Sequence, residues 1–119
     1  MTGKILILDD NKSVLTALEM LLQTEFSDVF TLRNPNSLLA TIQQHQIDVV
    51  LLDMNFKAGI NTGNEGFYWL HQIQKLDPAI SVVMITAYGD VALAVKAVKE
   101  GAFDFILKPW DNNKLISTL

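Results

Sequence analysis

Short, unbroken aliphatic runs alternate with segments of helical period along the whole chain. Ile5-Leu6-Ile7-Leu8, Val29 to Leu32, Val49-Val50-Leu51-Leu52, Val82-Val83-Met84-Ile85 and Phe105-Ile106-Leu107 predict five strands. They lack apolar–polar alternation, which is the signature of strands buried on both faces. Between them, apolar residues recur at the spacing of a helix face. Val14, Leu15, Leu18, Leu21 and Leu22 predict a first helix that Asn11 or Ser13 can cap. Leu38, Leu39 and Ile42 predict a second, capped by Asn36 or Ser37, and Phe67, Leu70 and Ile73 a third. Pro78 marks the connection to the fourth strand. Val91, Ala94, Val95 and Val98 predict a fourth helix, with Asp90 as its cap and Gly101 at the left-handed C-terminal position. Asp111 opens a last helix that is cut short at Leu119.

Strands of this kind alternating with helices predict an α/β fold with a parallel sheet covered on both faces. Right-handed crossovers make a doubly wound sheet the natural solution. Its ligands sit beyond the carboxyl ends of the strands, where the strand order reverses.

The chain's 119 residues suit one domain, and 50% of them are hydrophobic against 18% charged, which excludes disorder and a coiled coil. No cysteine is present, so disulfides, thiolate metal sites and cysteine nucleophiles are excluded together. No apolar run approaches the ~18 residues of a membrane span. The acids Asp9 and Asp10 follow the first apolar run too closely for a signal peptide. The net charge of −4, without a basic cluster, argues against direct nucleic-acid contact. The expectation is a soluble, cytoplasmic domain that touches no membrane.

The residues that end the predicted strands carry the chemistry. Asp9-Asp10 follow the first, Asp53 the third, Thr86 the fourth and Lys108 the fifth. Singly, each has a plainer reading: Asp10 as a helix cap, Thr86 as strand propensity, Lys108 as a solvated surface charge. Together, on four strands of one sheet, they converge on a single crevice. Carboxylates ~4 Å apart repel by about 1 kcal/mol in water and about 4 kcal/mol at an effective dielectric of 20, so such a cluster calls for a cation. Oxygen ligands without His or Cys favour a hard divalent ion, Mg²⁺ foremost, which is commonly shared with a phosphate. Thr86 and Lys108 can donate to phosphoryl oxygens.

Over its whole length the chain resembles the receiver domain of two-component response regulators. The resemblance is carried by Asp9-Asp10, by Asp53 after Val49-Val50-Leu51-Leu52, by Thr86-Ala87 and by Lys108-Pro109. Asp9, Asp53, Thr86 and Lys108 stand 44, 33 and 22 positions apart, in the family's order. The stretches Thr86-Ala87-Tyr88-Gly89-Asp90-Val91 and Gly101-Ala102-Phe103-Asp104-Phe105, with Lys108-Pro109-Trp110, resemble the branch joined to ATPase-driven transcription activators of the nitrogen-regulatory type.

The resemblance implies a flavodoxin-like sheet of order 2-1-3-4-5. It implies that residues 1–119 form one phosphoacceptor domain, the N-terminal part of a longer regulator whose ATPase and DNA-binding output domain lies outside this chain. Asp53 would take a phosphoryl group from a histidine kinase. Asp9, Asp10, Asp53 and the backbone carbonyl of Asn55 would hold Mg²⁺. Lys108 would pair with the phosphoryl group, and Thr86 would swing toward it. Thr86, Phe105 and Pro109 would form the switch, with Phe105 rotating inward and the Lys108-Pro109 peptide cis. Phe105 has no hydroxyl, so packing alone would distinguish its two states. The fourth helix, fifth strand and fifth helix would form a homodimer face. The protein would be no enzyme, but a switch that assists its own phosphorylation and dephosphorylation. Tyr88, two residues past Thr86, would shield the phosphoryl group from water.

Two features depart from the family. Phe56 to Glu65 is longer than the usual loop and has Lys57 where a proline is common. Part of it can start the third helix through the capping-box spacing of Thr62 to Glu65, and the remainder suits a lid, a partner contact or a tolerated insertion. The last helix is short, which would impair a dimer face built on it. His45 and His71 lie in helical patterns without a third ligand and read as surface residues, and Phe67, Tyr68 and Trp69 as packing. Trp110 would pack under the last helix or face a partner. A haloacid-dehalogenase-like phosphatase also uses Mg²⁺, Asp, Thr and Lys, but with its nucleophile after the first strand and with a cap domain. A receiver-like module that docks without phosphorylation would not need all five site residues. A flavin-mononucleotide binder would need a hydroxyl- and glycine-rich loop after the first strand.

Overall fold

The computed structural model describes residues 3–54, 64–87 and 91–119. Asn55, the 56–63 portion of the long loop, Tyr88 and Asp90 lie outside them, as do the roles expected of these residues. Five strands, β1 (Lys4–Leu8), β2 (Asp28–Leu32), β3 (Val49–Asp53), β4 (Ser81–Ala87) and β5 (Asp104–Lys108), form one sheet in the order β2-β1-β3-β4-β5. All pairs are parallel, with Leu8 opposite Leu52 and Asp53 opposite Ile85. The helices are α1 (Lys12–Leu22), α2 (Leu38–His45), α3 (Asn64–Leu76), α4 (Val91–Lys99) and α5 (Asn112–Thr118). This is the doubly wound order that the sequence led us to expect.

The strand side chains divide between two cores because successive residues face opposite sides of the sheet. Leu6, Leu8, Val50, Leu52, Val82 and Met84 pack with Leu38, Ile42, Leu70, Ile73 and Ala97 under α2, α3 and α4. Ile5, Ile7, Leu51, Val83 and Ile85 pack with Leu15, Leu18, Leu22 and Leu115 under α1 and α5. Helices close over both faces, which is why the strands carry no polar alternation.

Local signals act where the sequence placed them, with two exceptions. Asn11 caps α1 by accepting from the Ser13 and Val14 amides, and Asp111 caps α5 in the same way. Ser37 precedes α2 but makes no side-chain cap bond; Asn34 instead caps a 3₁₀ turn, Pro35–Ser37, that leads into the helix. The second exception is α4. Its Val91, Val95 and Val98 are exposed, and its buried residues are Ala94 and Ala97. Of the four residues that marked the predicted stripe only Ala94 is buried, and Ala97, which the spacing passed over, joins it against the core.

Two glycines are required by geometry. A Cβ on Gly66 would come within 2.9 Å of the Met54 Cα, so the start of α3 can cross the end of β3 only without a side chain there. Gly101 holds φ at +114°, the positive value expected past α4. The Lys108-Pro109 peptide is cis.

Candidate functional site

β1 and β3 are neighbours, and Asp9 and Asp53 each follow one step after the opposed pair Leu8 and Leu52. Their side chains therefore leave the sheet side by side. One carboxylate oxygen from each of Asp9, Asp10 and Asp53 lies within 4.8 Å of the others. Asp9 is fully buried, Asp53 is 3% exposed and Asp10 is half-buried. Asp10 is not spent as a helix cap, since Asn11 takes that place.

Asp9 is held from both sides. Its Oδ1 accepts from the Asn11 amide at 2.9 Å, at the entry to α1, and its Oδ2 accepts from Lys108 Nζ at 2.7 Å. The same ammonium lies 3.6 Å from Asp53 Oδ1. Lys108 stands at the end of β5 opposite Ala87, and its long side chain reaches across the β4 end to the acids. Among the described residues, Asp9 and Asp53 thus share one ammonium, and Asp10 adds a third carboxylate beside them. Negative charge left in excess in a buried, oxygen-only cluster is what a hard divalent cation neutralises, so the residues present fit such an ion.

Thr86 lies one step beyond the Asp53–Ile85 pair on β4 and is fully buried. Its Oγ1 has no hydrogen-bond partner among the described residues. An unsatisfied buried hydroxyl costs about 1–3 kcal/mol, which makes it a donor ready for an incoming acceptor. Phe105 is half-buried: it packs against the core under α4 and also borders a groove of about 230 Å³ between β5 and α5. Trp110 lines the same groove and donates Nε1–H to Asn112 at 3.0 Å, packing beside α5 as one of its two expected placements required.

Of the expected site residues, Asp9, Asp10, Asp53 and Lys108 meet in one cluster, and Thr86 stands next to last on β4, one strand over from Asp53. Phe105 and Pro109 lie on and just past β5, outside the cluster. Asn55 is outside the described residues. The direct bond from Lys108 to Asp9 was not foreseen, because the spacing of 99 residues shows only that both end strands. His45 stacks on Phe30 with ring centroids 4.3 Å apart, and His71 pairs with Glu100, so neither contributes to the site.

Comparison with known proteins bears on the same residues. The sequence profile of the response regulator receiver domain matches residues 5–119. The transcriptional regulatory protein ZraR of Escherichia coli (strain K12) is 35% identical over 97% of this chain and 25% of its own length. The DNA-binding transcriptional regulator NtrC of Salmonella typhimurium is 31% identical over 97% of this chain and 24% of its own. The chain thus spans about a quarter of the curated relatives it matches. Among solved structures, the N-terminal signal receiver domain of a two-component response regulator from Bacteroides fragilis superposes with a TM-score of 0.88. It is 52% identical and covers 100% of this chain and 94% of that one.

Proposed function

The chain belongs to the response regulator receiver domain family, and from that premise we propose that it is a phosphorylation-dependent switch whose phosphoacceptor is Asp53. Its donor would be a phosphohistidine of a histidine kinase, and its output the control of transcription activation by an ATPase and DNA-binding domain. The observation that carries this reading is the position of Asp53: nearly buried, beside two further carboxylates and 3.6 Å from the Lys108 ammonium.

An Asp53 carboxylate oxygen attacks phosphorus while the P–N bond to the donor imidazole breaks. Asp9, Asp10 and Asp53 would hold Mg²⁺, which when bound neutralises phosphoryl charge. Lys108 screens the charge that develops on the equatorial oxygens. The new aspartyl phosphate brings about −1.5 to −2 charge and three acceptor oxygens. Thr86, with its unused donor, turns toward them. Phe105 follows, and it has a groove on one side and core packing on the other. The readout face comprises α4, β5 and α5, where Val91, Val95, Val98 and Phe103 are exposed, and a homodimer would form there.

Incubation with acetyl phosphate and Mg²⁺ followed by peptide mapping in a mass spectrometer tests this. One phosphoryl mass on the Asp53 peptide is expected, lost in Asp53→Asn and in EDTA. Undiminished labelling of Asp53→Asn would place the acceptor elsewhere.

A further inference from the structure

The C-terminal end of α4 is held by a set of directed contacts. At the C-terminal end the helix closes in a Schellman arrangement, with Gly101 N–H donating to the Val98 carbonyl at 3.1 Å and Ala102 N–H to the Ala97 carbonyl at 3.0 Å. Phe103 N–H, one residue on, bonds the Val82 carbonyl of β4 at 2.7 Å. Helix α3 adds a side-chain clamp. Gln74 donates Nε2–H to the Glu100 carbonyl at 3.0 Å, a helix-end acceptor that has no partner within the helix. The Gln74 amide fills the space that the missing Gly101 side chain leaves; a Cβ there would overlap it. His71 Nε2 lies 2.9 Å from Glu100 Oε1, and Lys96 reaches both Glu100 Oε2, at 3.9 Å, and the Phe67 ring of α3.

Among the described residues, the body of α4 is held by packing alone, with Leu93 partly buried against the core. Its buried residues are the alanines 94 and 97, whose low relief interlocks little with the sheet. Its first residue, Val91, stands five positions after Thr86, the residue nearest the site chemistry.

We propose that Gln74 and Gly101 make the C-terminal end of α4 a fixed pivot, so that the displacement driven from Thr86 is a swing of the Val91 end about the Glu100 end. This rests on the switch reading above and specifies how the readout helix moves. Gln74 is a positioning residue: it touches neither Asp53 nor the metal-binding acids. A nine-residue helix is about 13 Å long, so a pivot at one end concentrates the movement at the other. Removing the Gln74 amide frees the pivot and spreads the movement along the whole helix.

Amide NMR of the 119-residue protein, without and with Mg²⁺ plus beryllofluoride as the phosphoryl mimic, tests this. In the wild type, amides of Asp53 and Thr86 shift, and Val91, Ala92 and Leu93 shift about two-fold or more further than Lys99, Glu100 and Gly101. In Gln74→Ala the shifts at Lys99 to Gly101 rise to match those at Val91 to Leu93, and exchange of the Ala102 amide accelerates. Gln74→Glu, nearly isosteric but unable to donate to the Glu100 carbonyl, does the same. Phosphorylation of Asp53 by acetyl phosphate stays at the wild-type extent in both variants. Equal shifts at the two ends of α4 in the wild type would overturn the pivot even if both variants were unfolded. An unchanged distribution in a folded variant would overturn the part given to Gln74. Silence at Asp53 and Thr86 would overturn the switch reading, and the pivot with it.

Discussion

The Lys108 ammonium donates to Asp9 Oδ2 at 2.7 Å, joining the end of β5 to the end of β1 across the two strands between them. Asp9 is fully buried while the lysine side chain is 25% exposed, so the acid depends on the lysine more than the reverse. Lys108→Ala leaves Asp9 and Asp53 without the ammonium they share. The expected loss is about 3 kcal/mol of unfolding free energy in EDTA, since one partner of a buried pair is removed. Mg²⁺ then stabilises the variant more than it does the wild type, because it meets an uncompensated cluster. Urea denaturation with and without Mg²⁺ measures both. Equal Mg²⁺ stabilisation in the two proteins would separate the lysine from the proposed metal site.

Magnesium, if the acids hold it as proposed, is expected to stabilise the fold by linkage. At about 100 times its dissociation constant the gain is about 2.7 kcal/mol, visible as a higher denaturation midpoint and reversed by EDTA. Asp10→Asn removes one of the three carboxylates and weakens the effect. Sodium chloride at matched ionic strength is the control. A midpoint that follows ionic strength alone would mean general screening and no bound ion.

The role proposed for Thr86 is tested by separating stability from switching. Thr86→Val keeps the shape and deletes a buried hydroxyl that has no partner. Its unfolding free energy stays within about 1 kcal/mol of the wild type or rises. The added stability conferred by beryllofluoride with Mg²⁺ falls by about 1.5 kcal/mol, one hydrogen bond to a charged group. A variant that is strongly destabilised yet responds fully to the mimic would reverse the assignment.

Gly66→Ala forces a methyl group to within 2.9 Å of the Met54 Cα and 3.1 Å of its carbonyl oxygen. Backbone cannot yield as a flexible side chain can, so the expected cost is about 1–3 kcal/mol in chemical denaturation. Met54 directly follows Asp53, so labelling at Asp53 slows as well. A neutral substitution would show that the start of α3 yields without strain.

Much of the fold was legible because strand and cap signals are local. The run Val49-Val50-Leu51-Leu52 reads as a strand in any context that covers both its faces, and Asn11 and Asp111 sit where a short polar side chain reaches two amides. The α4 face was misread for a physical reason. Val91, Ala94, Val95 and Val98 mark an apolar stripe, yet which residues face the sheet depends on how closely the helix approaches, and close approach keeps Ala94, adds Ala97 and leaves the valines outside. Asn34 was missed as a cap because it serves a 3₁₀ turn one step before the helix.

By itself the sequence determined the kinds of element, their order, and the residues that end the strands: Asp9, Asp10, Asp53, Thr86 and Lys108. Those follow from side-chain periodicity and from backbone preferences that act over a few residues. Only the tertiary structure decided that Lys108 bonds Asp9 more closely than Asp53, that the Thr86 hydroxyl is left without a partner, and that Gln74 fills the space beside Gly101. Each is a contact between segments remote in sequence, set to a fraction of an ångström by strand register and helix packing, and no local preference encodes such distances.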